Sequence, residues 1–200
     1  LLSGCLAAVL RHLPEAQVLV VDNASEPPLT VPDGVTLLRA PRNLGFAGGN
    51  NLALPHAEGE HILLLNTDVT LPSAEPIRIL QAALDTYPHL AALQPTLILP
   101  DGTLDTCGEY LTPLGILWHQ GYRRPPGPHA ERPHPVLAGK GACLLLRRAA
   151  IETAGGLFRP SYFCYGEDID LCHRLWLAGW ECWYAPTPPI PHAEAATARA

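Results

Sequence analysis

The six cysteines (Cys5, Cys107, Cys143, Cys164, Cys172 and Cys182) form no CxxC pair and stand mostly among apolar residues. That spacing disfavours a zinc or disulfide framework and predicts reduced, buried thiols in a cytosolic protein. Long apolar runs are missing as well. The longest, LLSGCLAAVL and ACLLL, are too short to span a bilayer. No charged segment precedes Leu1, so no signal peptide is expected. Charge is sparse, at 16% of residues, and the formal net charge is −6. A general nucleic-acid binder is therefore disfavoured, although a local basic patch is compatible with that balance. Neither GxGxxG nor a P-loop occurs, which lowers NAD-dependent and NTPase readings. There is no internal repeat.

What is present is a globular composition. The chain has 200 residues, 48% of them hydrophobic, enough for one α/β domain with a real core. Helical spacing covers 1–12. AQVLVV (16–21) and GVTLLRA (34–40) read as strands. RNLGFAGGNNLAL (42–54) reads as a glycine-rich turn entering a helix, and HILLL (61–65) as a third strand. Residues 73–87 read as a helix with Ser73 at its N-cap. LAALQPTLIL, PDG and TLDTCG suggest a strand and hairpin. Residues 119–135, with several prolines, histidines and arginines, read as a mobile loop. GACLLLRR is a strand, RRAAIETAGG a short helix, EDIDLCHRLWLAGW a helix ending at Gly179, and ECWYAP a last strand. Residues 186–200 read as a C-terminal tail. Alternating strands and helices predict a mainly parallel sheet covered on both faces, with ligands at the carboxyl ends of its strands. Asp22 and Asp68 both sit at such ends.

Three stretches could carry chemistry. Asn66-Thr67-Asp68 ends an apolar strand. A carboxylate there can bind a hard divalent cation, while the bland alternative is an Asx turn. In NLGFAGGNN, Gly45, Gly48 and Gly49 permit close backbone approach. The helix that follows could offer N–H groups to a phosphate, or the segment could simply be a tight turn. In YGEDIDLCHRLWLAGW, Glu167, Asp168 and Asp170 fall at a helix start, where the helix dipole keeps acids ionised. A carboxylate in a partly apolar cleft is also a candidate general base. His192, in PPIPHAEAAT, is either a metal ligand or a tail residue.

Together, VVDNAS, RNLGFAGGNN, LLLNTDV, GACLLLRR, GGLF, YFCYGEDIDLCHRLWLAGW and a late PH, in that order, resemble family 2 glycosyltransferases of the rhamnosyltransferase-like branch. The resemblance covers nearly the whole chain. It implies a single domain over 1–200 with the GT-A fold, a Rossmann-like three-layer sandwich. It also implies an inverting, metal-dependent transfer of a sugar from a nucleotide diphosphate, with dTDP-rhamnose as first expectation, to an acceptor hydroxyl in bacterial cell-surface glycan synthesis. Carried over by position, Asp22 would contact the nucleotide base. Asn43, Gly45, Gly48, Gly49, Asn50 and Asn66 would line the nucleotide-sugar pocket. Asp68 and His192 would hold Mg²⁺ or Mn²⁺, Asp168 would be the catalytic base, and Glu167 and Asp170 would shape the acceptor pocket.

The sequence departs from the family pattern in two places. The strand that family members usually carry before the first helix, resembling VSVVIVNYN, does not precede Leu2. ASEPPLT replaces the usual continuation after the VVD strand. The expectation is thus an N-terminally shortened domain whose sheet has a gap open to self-association. Expected partners are a nucleotide-sugar donor and a glycan or lipid-linked acceptor, with no nucleic acid. The expected location is the cytoplasm, extending to peripheral association with the inner membrane face. Competing readings are a non-catalytic nucleotide-sugar or glycan-binding relative, and a nucleotidyltransferase, which would want a basic glycine-rich signature near the N-terminus.

Overall fold

Four strands of the central sheet are apolar at nearly every position, because both faces of that sheet are covered. A computed structural model describes residues 1–194. The helices are α1 (Leu2–His12), α2 (Gly45–Ala53), α3 (Glu75–Thr86), α4 (Arg148–Thr153) and α5 (Glu167–Leu177). The strands are β1 (Val18–Asp22), β2 (Val35–Arg39), β3 (His61–Leu65), β4 (Leu90–Gln94), β5 (Leu97–Ile98), β6 (Leu104–Thr106), β7 (Glu109–Leu111), β8 (Leu117–His119), β9 (His134–Pro135), β10 (Cys143–Arg147), β11 (Glu181–Tyr184) and β12 (Ile190–Pro191). Ser73 is not the N-cap of α3. Ala74 holds that place, and the Ser73 hydroxyl accepts from the Glu75 N–H at 3.3 Å.

The central sheet has the order β3-β10-β4-β11-β9. Its alternating side chains separate two cores. Leu93, Cys143 and Leu145 face Cys5 and Val9 of α1 and Ile77, Leu80 and Leu84 of α3. Leu64, Ala92, Leu144, Leu146 and Cys182 face Ala47 of α2, Ile151 of α4, and Leu171, Cys172 and Leu175 of α5. This is a three-layer α/β sandwich, as expected.

The sheet is mixed, however, and not mainly parallel. β10 runs antiparallel to both β3 and β4, β9 runs antiparallel to β11, and only β4 and β11 pair in parallel. A parallel neighbour requires a crossover that returns the chain to its starting end. No α-helix lies between β4 and β10 to provide one.

β1 and β2 form a separate parallel pair. Val18 to Val21 of β1, His61 to Leu65 of β3, and Cys5 and Val9 of α1 line one cavity of about 1150 Å³. This cavity continues to the rim where the candidate site lies.

Two segments are more ordered than their composition suggests. Residues 119–135, expected as a mobile loop, contain a 3₁₀ turn at Pro128–Ala130 and strand β9. The Tyr184 hydroxyl donates to the Ala130 carbonyl at 3.0 Å. The expected tail from 186 onward contains β12, which pairs in parallel with β5. Around it, the Thr70 N–H donates to Pro191 O at 3.1 Å, His192 N–H to Ile98 O at 2.9 Å, and Ala193 N–H to Asp68 O at 2.9 Å. The final part of that tail, 195–200, lies outside the described residues. No helix among the described residues is long and apolar enough to cross a membrane.

Candidate active site

Strand β3 delivers Asn66, Thr67 and Asp68 to the sheet rim. The Asn66 N–H donates to Ala142 O at 2.8 Å, and the Val69 N–H to Asn66 O at 3.1 Å, so the tripeptide is indeed a turn. The Asp68 carboxylate nonetheless faces another element. It is 8% exposed, and its Oδ1 lies 3.5 Å from Nε2 of His192, which is 4% exposed. Two residues 124 positions apart in the chain therefore meet because β12 is sewn beside the loop after β3.

Behind the pair lies a residue that sequence reasoning passed over. Asp105, on β6 and fully buried, has Oδ2 at 2.7 Å from His192 Nδ1. Its Oδ1 accepts from Lys140 Nζ at 2.6 Å, and Lys140 also lies 3.5 Å from Glu194 Oε1. Burial alone would lower the His192 pKa. Hydrogen bonds and charge from Asp105 and Asp68 outweigh it and lift the imidazole to about 9. The Lys140 ammonium is likewise penalised by burial, yet held above its usual pKa by Asp105.

This donor set suits a hard or borderline divalent cation. A carboxylate and an imidazole converge, and a second carboxylate orients the ring from behind. Among the described residues no group of three His, Cys, Asp or Glu could hold a metal. Two protein ligands would leave the remaining coordination positions to substrate oxygens and water.

Asp168 lines the same cavity, in the first turn of α5. Tyr165 (φ 72°) and Gly166 (φ 87°) turn the chain sharply into that helix. A left-handed tyrosine is uncommon and marks a constrained entry. Asp168 Oδ2 accepts from the Gly141 N–H at 2.9 Å and Oδ1 from the Ile169 N–H at 2.9 Å. Burial and the nearby Glu109 carboxylate raise its pKa against these two bonds. Burial also raises Glu167, which is 5% exposed and whose Oε2 has no hydrogen-bond partner. Glu109, on β7, is buried too. Its Oε1 meets His119 Nδ1 at 3.0 Å, while Oε2 has no hydrogen-bond partner. Asp168 and Glu167 are thus two cavity-lining carboxylates whose ionisation burial disfavours, a setting common at functional sites.

Asp170 is turned elsewhere. It pairs with Arg174 (Nε–Oδ2 2.8 Å) and Arg159 (Nε–Oδ1 3.4 Å), and Arg174 in turn donates to the carbonyls of Ala154 and Gly156. It anchors α5 and does not line the cavity, so the expected acceptor-pocket role is not supported by its position.

The expected nucleotide side divides similarly. Asp22 is fully buried and absent from the cavity lining. Its carboxylate accepts from the Ser25 N–H (2.8 Å) and the Leu29 N–H (3.2 Å) and pairs with Arg39. These contacts, the Ser25 N–H first, lower its pKa and make it a clamp for the turn after β1. Asn43 braces the start of α2, accepting from the Gly45 N–H at 2.9 Å and from Asn23 Nδ2 at 3.0 Å. The Leu44 N–H donates to Asn23 Oδ1, and the Ala47 N–H to Phe163 O at 3.4 Å. Several N–H groups imagined for a phosphate are therefore used internally. A Cβ at Gly45 (φ 72°) would stand 2.2 Å from Phe163 O, so this glycine serves close packing against the loop before α5. Gly48 and Asn43 do not line the cavity. Gly45, Gly49, Asn50 and Asn66 do, together with Asp68, Glu167, Asp168 and His192. Among the cysteines, all free, Cys164 alone is exposed, also on this cavity.

Comparison with known proteins places the chain in a family and a fold. The model of a family described as "Glycosyltransferase like family 2" matches residues 18–200. The chain is 30% identical over 210 residues to the O-antigen biosynthesis protein RfbC of Myxococcus xanthus, covering 98% of this chain and 16% of that protein. It is 32% identical over 148 residues to the N-acetylglucosaminyl-diphospho-decaprenol L-rhamnosyltransferase of Mycobacterium tuberculosis H37Rv, covering 67% of this chain and 47% of that protein. The chain thus spans less than half the length of these two relatives. Among solved structures, GalNAc-T7 with UDP, GalNAc and Mn²⁺ superposes with a TM-score of 0.69 at 14% identity, covering 94% of this chain and 40% of that one. A mannosyltransferase from Pyrobaculum calidifontis with GDP-Man and Mn²⁺ gives 0.65 at 17%, covering 96% and 52%. At such identities the likeness speaks for the fold.

Proposed function

This chain belongs to glycosyltransferase family 2, with the GT-A fold, and from that premise we propose that it carries out an inverting, metal-dependent transfer of a sugar from a nucleotide-diphosphate donor to an acceptor hydroxyl in bacterial surface-glycan synthesis. A deoxyhexose donor such as dTDP-rhamnose and a lipid-linked acceptor are the first candidates, in keeping with the rhamnosyltransferase relative. The observation that carries the reading is the convergence of the Asp68–His192 pair and Asp168 on one cavity.

In this reading Asp68 and His192 hold Mg²⁺ or Mn²⁺, which would offset charge on the departing diphosphate. Asp168 takes the proton of the acceptor hydroxyl as its oxygen attacks the anomeric carbon. Two N–H groups fix the carboxylate's orientation, and burial makes it a stronger base than an ordinary aspartate. The partnerless oxygen of Glu167, on the cavity, is suited to accept a hydrogen bond from an acceptor hydroxyl. Thermal-shift screening of nucleotide sugars with and without Mn²⁺, followed by product detection, tests this. A donor that raises the melting temperature only with metal, and is then consumed, is expected. Stabilisation by a donor with no product under any acceptor condition would favour the non-catalytic reading.

Asp105 is the positioning residue of this arrangement. By accepting from His192 Nδ1 it would leave Nε2, the atom facing Asp68, free to bind metal. Asp105→Asn should weaken Mn²⁺ binding by about 10–100-fold, the usual effect of losing such a partner. Titration followed by the electron paramagnetic resonance of free Mn²⁺ reads this, and the ¹⁵N shifts of His192 in the metal-free chain should report a changed protonation state. Unchanged affinity and shifts would leave Asp105 with only a structural role.

A further inference from the structure

The hairpin β7–β8 presents apolar side chains to solvent at a density found nowhere else on the described chain. Leu111 is 53% exposed, Leu114 86%, Ile116 61% and Trp118 52%. They follow one another around a single turn, Leu111 opposite Leu117 and Tyr110 opposite Trp118. The turn satisfies much of its own backbone. The Thr112 N–H donates to Ile116 O at 2.9 Å, the Gly115 N–H to Thr112 O at 2.8 Å, and the Ile116 N–H to Thr112 Oγ1 at 3.1 Å, while Pro113 has no N–H to satisfy. An apolar tip with paired backbone can enter the headgroup and upper acyl region of a bilayer without leaving bare donors there. Trp118, tilted against Tyr110 with ring centroids 5.9 Å apart, has the amphipathic character favoured at membrane interfaces.

Charge identifies the kind of surface. From Leu111 to Ala130 there is no Asp or Glu, whereas Arg123 and Arg124 are present, in a chain whose formal net charge is −6. Arg124 sits beside Trp118, both lining a small cleft with Tyr122, and makes no ion pair among the described residues. Arg123 lies over the Tyr122 ring and 3.8 Å from Glu194, so its charge is partly engaged. The geometry points to this hairpin as a membrane-docking element that inserts Leu114, Ile116 and Trp118 into a leaflet bearing anionic headgroups, with Arg124 at its rim.

The test needs no donor or acceptor, so its outcome is separable from the proposed chemistry. The chain should float with phosphatidylcholine vesicles containing phosphatidylglycerol and bind those of phosphatidylcholine alone less well. Brominated lipids should quench its fluorescence, and Trp118→Phe should remove that quenching, since the other three tryptophans are partly buried against the fold. Leu114→Asp with Ile116→Asp should lower vesicle affinity at least about tenfold, with an unchanged circular dichroism spectrum. Arg124→Ala should lower it about fivefold on anionic vesicles. Absence of flotation, flotation that survives the double substitution, or quenching independent of Trp118 would overturn the inference. So would a dimer in sedimentation velocity that the double substitution dissolves, because the patch would then serve a second copy of the chain.

Discussion

Asp168→Asn should reduce turnover by about 10²–10⁴-fold, the usual contribution of a general base, with donor affinity little changed. The amide keeps the size of the carboxylate and an oxygen for the Gly141 N–H, but cannot take a proton at neutral pH. Stability should change little, because two effects oppose: the amide NH2 loses one of the two N–H bonds that the carboxylate accepts, while a cost of burial disappears. Because burial and Glu109 raise the Asp168 pKa in the folded chain, its ionised form is disfavoured there, and a neutral side chain removes that cost. The acid limb of the rate profile should lie above the ordinary aspartate range in the native chain. Initial rates at saturating donor, paired with a melting curve, check both halves. Normal turnover in the variant would remove Asp168 from the mechanism.

Most of the architecture was legible because periodicity reports local structure well. The apolar runs became β1, β3, β4, β10 and β11, and the helical spacings became α1, α3 and α5, with boundaries moved by a few residues. Strand direction was not legible. Apolar strands look alike whether they run up or down, and β10 reverses only because the preceding excursion holds no crossover helix. The site was legible where a motif marks it. Asp168 and Asp68 each stand at the end of an element and face the cavity. Asp22 and Asp170 stand at similar places, yet their oxygens are used by Ser25, Leu29 and Arg39 in one case and by Arg159 and Arg174 in the other. Nothing in a short acidic motif says which way the carboxylate turns. Asp105 gave even less signal, since it reads as a turn residue in TLDTCG and acquires meaning only through a partner 87 positions away. An acid between leucine and threonine in a short run was the available hint, and it is a weak one without the fold.

His192→Ala should weaken Mn²⁺ binding by at least about 10²-fold, beyond the upper range for losing an outer-shell partner, and should flatten its pH dependence. From sequence, metal affinity would be expected to fall only below roughly pH 6.5, where a free imidazole protonates. The structure moves that window. With Asp105 and Asp68 on either side, the metal-free imidazole stays protonated up to about pH 9. Its folded pKa lies above the unfolded one, so the stabilisation it gives the metal-free chain is complete below roughly pH 6.5 and is lost as pH rises towards 9. Metal must displace that proton. Affinity should therefore climb steadily from pH 6.5 to 9, by up to about tenfold per unit for a single displaced proton, and the alanine variant should lose the slope. The variant should remain folded, because Asp105 keeps Lys140 at 2.6 Å as a counter-charge. Its metal-free stability, unlike the native chain's, should not decline over the same interval. Mn²⁺ titrations followed by electron paramagnetic resonance at several pH values, with thermal melts of the metal-free chain alongside, separate the two contributions. Equal affinities and equal slopes in the native and His192→Ala chains would mean that the imidazole only braces two buried carboxylates and never meets the metal.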